Sequence, residues 1–157
     1  MIERVILYFT LFVALVFAVM PLPELVQAYR PDWLLLVVAY WGLALPHRVN
    51  VGTAFTMGLM LDVLKGSVLG ANALAMSVII YVVALQFQKI RNFSVWQQAI
   101  IIALLSLMAK LFEYWMTYLA IDVDFDREQL WAVLINFILW PWVFFLMRRI
   151  RRHFRIR

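Results

Sequence analysis

The chain has 157 residues, a formal net charge of +5, no cysteine and a hydrophobic content of 66%, well above the roughly 45 to 50% of soluble domains. That balance excludes an ordinary water-soluble fold, and the cysteine count excludes disulfide frameworks, thiolate metal sites and cysteine nucleophiles. With a mean hydropathy of +0.90, lipid is the expected solvent for much of the surface, and the fold class expected is all-α, a polytopic integral membrane helical bundle.

The first span is read over 5–21, an apolar run broken only by Thr10 before Pro21. It is longer than the roughly 7 to 15 residues of a signal-peptide core, and no small-x-small cleavage site ends it, so a retained helix is expected. A second span, 31–46, opens at Pro31, which suits a first helical turn because proline has no N–H to leave unpaired. It is short for a bilayer core that takes about 20 residues. It is therefore expected to borrow flanking residues or to sit where its neighbours cover it.

The third and fourth spans, 49–64 and 69–88, flank the interruption GLMLDVLKGSVLGANAL (58–74), where Asp62, Lys65 and three glycines separate two apolar runs. A turn on the outer face is expected there, with Asp62 near a helix end and Gly66 permitting the reversal. Small residues recur at helical spacing on both sides: Gly52, Ala54 and Gly58 before the turn, then Gly66, Gly70, Ala71 and Ala75. Such residues let helix backbones approach closely in lipid, so this set is assigned to helix packing or the turn. The fifth span, 95–121, carries Lys110 and Glu113 three residues apart, close enough to neutralise each other on one helix face. The sixth, 130–147, contains Asn136 and Pro141, the latter read as a fixed bend. Together the six spans make a single integral membrane domain over 1–157.

Six arginines lie in the last ten residues, RRIRRHFRIR. With six spans both termini fall on the cytoplasmic side, which then holds Arg4, Arg48, Lys89, Arg91 and the tail, against Arg30, Lys65 and Arg127 outside. That asymmetry fits the positive-inside rule. Beside a span, Arg148, Arg149, Arg151 and Arg152 are read as a membrane-surface patch that meets anionic phospholipids rather than nucleic acid. Trp33, Trp115, Tyr118 and Trp131 are placed at the outer interface, and Tyr40, Trp41, Trp96 and Trp142 at the inner one, as interfacial belts.

Little in the sequence suggests catalysis. His47 and His153 belong to no H-E-x-x-H pair or triad, and there is no Walker loop or dinucleotide fingerprint. The acidic loop DVDFDRE (122–128) lacks the glycine and the terminal glutamate of a calcium-binding loop; it is read as an exposed loop facing an outer partner. No catalytic, metal or cofactor residue is therefore expected. The polar candidates for an internal or partner-facing surface are Arg30, Asp32, Arg48, Asp62, Lys110, Glu113 and Asn136.

An ordered set of motifs carries a resemblance over essentially the whole chain. RPDW (30–33), ALPHRVNVGTAF (44–55), GLMLDV (58–63), Gly66, LG (69–70), ALAMS (73–77), WQQA (96–99) and WPW (140–142) resemble the bacterial rod shape-determining protein family MreD. Lys65, Lys110 and Glu113 stand outside that pattern. The resemblance implies a non-enzymatic multi-pass protein of the bacterial inner membrane, acting as a scaffold of the elongation machinery. It implies direct binding to MreC, in a complex with MreB, RodA and its partner transpeptidase, that organises lateral peptidoglycan synthesis and maintains rod shape. It also implies a likeness in fold to the substrate-binding subunits of energy-coupling-factor transporters. The alternative function is a small-molecule-binding membrane subunit of a transporter, with an outward polar pocket reached by Asp62, Lys110 or Asn136.

Overall fold

A computed structural model describes residues 1–156, and among these the secondary structure is entirely helical. The elements are α1 (Ile2–Val19), a single turn α2 (Glu24–Gln27), α3 (Trp33–Ala44), α4 (Val51–Lys65), α5 (Ala71–Asn92), α6 (Val95–Ile121), a 3-10 turn η1 (Arg127–Gln129) and α7 (Leu130–His153). Ile2–Val19, Ala71–Asn92, Val95–Ile121 and Arg127–His153 are long and apolar enough to cross a membrane. α3 has 12 residues and α4 has 15, or about 18 and 22 Å at 1.5 Å per residue, short of a hydrocarbon core of roughly 30 Å.

Local chemistry explains where these helices begin and end. The side chain of Asn50 accepts from Thr53 N–H at the start of α4. Ser94 and Gln97 form a reciprocal capping box at the start of α6, satisfying N–H groups that a first turn leaves without intrahelical partners. α4 stops at Gly66, whose φ of +65° lets Gly66 N–H reach Val63 O and Ser67 N–H reach Asp62 O. α7 runs six residues past the expected end of the sixth span, through the first arginines of the tail and with Pro141 inside it.

α3 is the axis of the bundle. Every residue from Leu34 to Ala44 is buried, and α1, α5, α6 and α7 pack against it. A helix that is apolar all round needs cover on all sides, which is how so short a segment is accommodated. The Trp41 indole N–H donates to Thr10 Oγ at 3.0 Å, so the lone polar residue of α1's apolar run is a tie between α1 and α3.

This corrects the expected inner belt. Tyr40 and Trp41 are core residues, 2% and 0% exposed, because they sit on the central helix. Trp96, Trp115, Trp131 and Trp142 are exposed, as are broad apolar faces formed by Phe9, Phe12 and Val16 of α1, Leu104 and Met108 of α6, and Leu134 and Ile138 of α7. Arg48 is likewise no free basic group: its guanidinium donates to Glu3 of α1 at 2.9 Å. Both side chains are about a third exposed, so the pair contributes little to stability.

Candidate functional site

Two polar clusters lie at the end of the bundle opposite the arginine tail, and each is built around an aspartate. The first occupies the turn between α4 and α5. Gly70 is the N-cap of α5 and has no side chain with which to cap it. Asp62, projecting from the last turns of α4 and fully buried, does so instead. One carboxylate oxygen accepts from Gly70 N–H at 3.0 Å and Ala73 N–H at 3.2 Å. The other accepts from Asn72 N–H at 3.1 Å, Asn72 Nδ2 at 2.8 Å and Ser67 Oγ at 2.9 Å. A carboxylate at a helix N-terminus meets both the unpaired N–H groups and the positive end of the helix dipole. Asp62 is therefore an N-cap supplied by the preceding helix, which locks α4 to α5 through their connection.

The glycines of this region divide by role. A Cβ at Gly58 would lie 2.6 Å from Ala73 Cα and 2.8 Å from both Ala73 N and Asn72 O, so Gly58 marks the place where the α4 and α5 backbones touch. Ala71 and Ala75 are buried on the same helix, α5. Gly70, by contrast, has open space where a Cβ would go, and its φ is +96°. Glycine is required there by backbone conformation rather than by packing. Gly66 is open in the same way, and Gly52 is exposed in the first turn of α4.

The second cluster pins three helices together. Asp32, at the N-cap of α3, pairs with Lys110 of α6 at 3.0 Å. Its other oxygen accepts from Asn136 Nδ2 of α7 at 2.9 Å and from Ser106 Oγ of α6 at 3.3 Å. Asn136 completes the set: its Oδ1 accepts from Asp32 N–H at 3.0 Å, and its Nδ2 donates to Ser106 Oγ at 2.6 Å. The expected pairing of Lys110 with Glu113 is thus replaced by an interhelical ion pair. Glu113 accepts instead from Asn72 Nδ2 at 3.2 Å, which joins the two clusters through α6. Arg30 closes the edge, donating from Nη1 to Ala18 O at 3.0 Å.

Ser67, Asn72 and Ser106 were not among the sequence candidates. The available signal was the rule that polar side chains inside apolar helices need partners; which partners depends on how the helices cross. Above the clusters lies a cleft of about 540 Å³ whose lining includes Arg30, Asp32, Lys65, Lys110, Glu113, Asp126 and Glu128. Asp62 and Asn136 do not line it. Among the described residues no group of three or more histidine, aspartate or glutamate side chains could hold a metal ion.

The ion pair yields a test. Lys110→Met and Asp32→Asn should each destabilise the bundle by about 2 kcal/mol, since each leaves a partly buried charge without its counterion. The double variant should recover about 1 to 2 kcal/mol of the sum. Thermal unfolding of the detergent-solubilised proteins measures this cycle, and strict additivity would show that the pair is not coupled.

The family model described as rod shape-determining protein MreD matches residues 1–150 of the chain. A protein named rod shape-determining protein MreD from Haemophilus influenzae is 35% identical over 144 residues, covering 92% of this chain and 89% of the relative. No solved structure matches the chain.

Proposed function

Because the chain belongs to the MreD family of rod shape-determining proteins, we propose that it is a non-enzymatic scaffold of the bacterial inner membrane. In this reading it binds MreC directly and works with MreB, RodA and RodA's partner transpeptidase to organise lateral peptidoglycan synthesis. The observation that carries it is how the interior polar groups are used. Asp32, Asp62, Asn72, Ser106, Lys110, Glu113 and Asn136 are bonded to one another and to helix ends. They tie helices together, while wide apolar faces point outward. That is the build of a rigid membrane body with lateral surface to offer a partner helix.

The same reading takes α1, α3, α4, α5, α6 and α7 as six crossings, with both termini cytoplasmic and the two polar clusters toward the outer face. The chain lacks cysteine, so single-cysteine variants report topology directly. A cysteine at Asp124 should label from outside the inner membrane, and labelling only from the cytoplasm would reverse the orientation. Co-purification in mild detergent should recover MreC with the folded protein. Recovery of the folded protein without MreC, while MreC stays soluble in the same extract, would remove the scaffold reading.

One observation favours a second reading, a small-molecule-binding subunit of a transporter: the charged cleft of about 540 Å³ reaches Lys110. A ligand that survives purification in that cleft would support it.

A further inference from the structure

We propose that the arginine-rich end of the bundle is a binding site for the headgroup of an anionic phospholipid. This rests on reading the helices as membrane-spanning, which puts that end at headgroup level.

The site is a cavity of about 540 Å³ between the C-terminal ends of α5 and α7. Arg91 reaches it from α5, and Arg148, Arg151, Arg152 and Arg155 from α7 and its terminal turn. No carboxylate lines it among the described residues. Five guanidinium groups around one cavity repel one another unless an anion lies between them, and arginine's planar fork matches phosphate oxygens in pairs. Two of the five are steadied by aromatic faces: Arg91 lies 5.6 Å from the centroid of Phe87, and Arg148 6.0 Å from that of Phe144.

The terminal turn is folded rather than trailing. Ile156 N–H donates to Arg151 O and Arg155 N–H to Arg152 O, the closure that usually places glycine where Arg155 stands. Arg155 has a φ of +50°, a conformation that costs a side-chain-bearing residue about 1 to 2 kcal/mol. Ile156 is buried against the core and holds that turn in place, so the strained residue presents its guanidinium to the cavity.

The remaining lining indicates the class of anion. Leu43, Ala44, Phe144 and Ile156 give the cavity an apolar wall, which suits an amphiphile better than a free, fully hydrated ion. Gln98 also lines it and is 2% exposed. Its Nε2 donates to Ile90 O at 3.0 Å and Phe93 O at 3.4 Å, which fixes the orientation of the amide. Its Oε1 is buried without a hydrogen-bond partner among the described residues. A phosphatidylglycerol headgroup carries the net negative charge that the guanidinium cluster binds, and a zwitterionic choline headgroup does not.

The full-length protein, purified in nonionic detergent and stripped of lipid, is titrated with short-chain phosphatidylglycerol or phosphatidylcholine, and bound lipid is counted by native mass spectrometry. Phosphatidylglycerol should bind at least about tenfold more tightly. Arg91→Gln combined with Arg151→Gln should weaken it at least about tenfold, since each charge-assisted bond lost at this partly exposed site is worth a factor of about three or more. Arg149→Gln, outside the cavity, should change it less than about twofold. Arg155→Gly separates binding from folding: it relieves the positive φ, so the unfolding midpoint should hold or rise while phosphatidylglycerol affinity falls about threefold.

Equal binding of the two lipids, or undiminished binding by the Arg91/Arg151 double variant, overturns the proposal. If that double variant does not fold, undiminished binding by Arg155→Gly does so. Displacement of the lipid by an equal concentration of inorganic phosphate would make this a free-anion site and overturn the lipid assignment. Binding in detergent is independent of membrane orientation and of MreC, so failure here is distinguishable from failure of the scaffold reading.

Discussion

Asp62→Ala is expected to lower the stability of the bundle by about 3 to 5 kcal/mol, seen as a fall of roughly 10 °C in the unfolding midpoint of the detergent-solubilised protein. The carboxylate receives three backbone N–H groups and two side-chain donors, and it is fully buried. Removing it strands all of them, and water has no ready access to replace it. Asp62→Asn should fall between wild type and alanine, because it keeps one acceptor oxygen while turning an NH₂ toward donors. Loss of the cap also releases Asn72, and with it the link to Glu113 of α6. The damage should therefore reach shape complementation in a strain lacking the native gene: Asp62→Ala cells should round up, and the exposed control Lys65→Ser should stay rod-shaped. A wild-type midpoint in Asp62→Ala would show that the cap is dispensable.

Gly58→Ala is the second large effect expected, at about 3 kcal/mol, the upper end for overpacking a filled site. The added carbon would stand within 2.8 Å of backbone atoms of Ala73 and Asn72. Backbone cannot swing aside as a flexible side chain does, so α4 must separate from α5 and draw Asp62 away from the N-terminus it caps. Trimming the neighbour does not help: Ala73→Gly should fail to rescue Gly58→Ala, because the contacts are to Ala73 Cα and N rather than to its methyl group. Gly70→Ala makes the useful contrast, since it meets nothing within 4 Å and should cost about 1 to 2 kcal/mol through its positive φ alone. Thermal unfolding of the three single variants and the double variant separates close approach from backbone conformation. Equal midpoints for Gly58→Ala and Gly70→Ala would defeat that distinction.

The polar residues show how far the sequence could be read. Asp62 beside Gly66 marked a helix end, because a charge is costly in lipid and glycine favours reversal. That its carboxylate caps the next helix was not readable, since the acceptor and its donors are eight to eleven residues apart and meet only when the turn closes. Lys110 and Glu113 looked like partners because spacing along one helix was the only geometry available. The actual counterion, Asp32, lies on another helix and is 78 residues earlier in number. The arginine tail read as a basic surface patch, yet Arg91, Tyr40 and Gln98 join it to form a cavity that no stretch of sequence announces.

The sequence by itself determined that this is a helical protein made for lipid and to which family it belongs. Composition, segment length and motif order are properties of the chain in one dimension, and the bilayer's demand for satisfied backbone hydrogen bonds leaves few ways to fold such segments. Only the tertiary structure decided that α3 is the buried axis, that Gly58 is the point of backbone contact, and that Asp32 and Asp62 each organise a cluster. Those outcomes depend on which faces of the helices meet. In apolar helices with little distinction between faces, that choice is made by close packing and a few polar bonds between residues far apart in sequence.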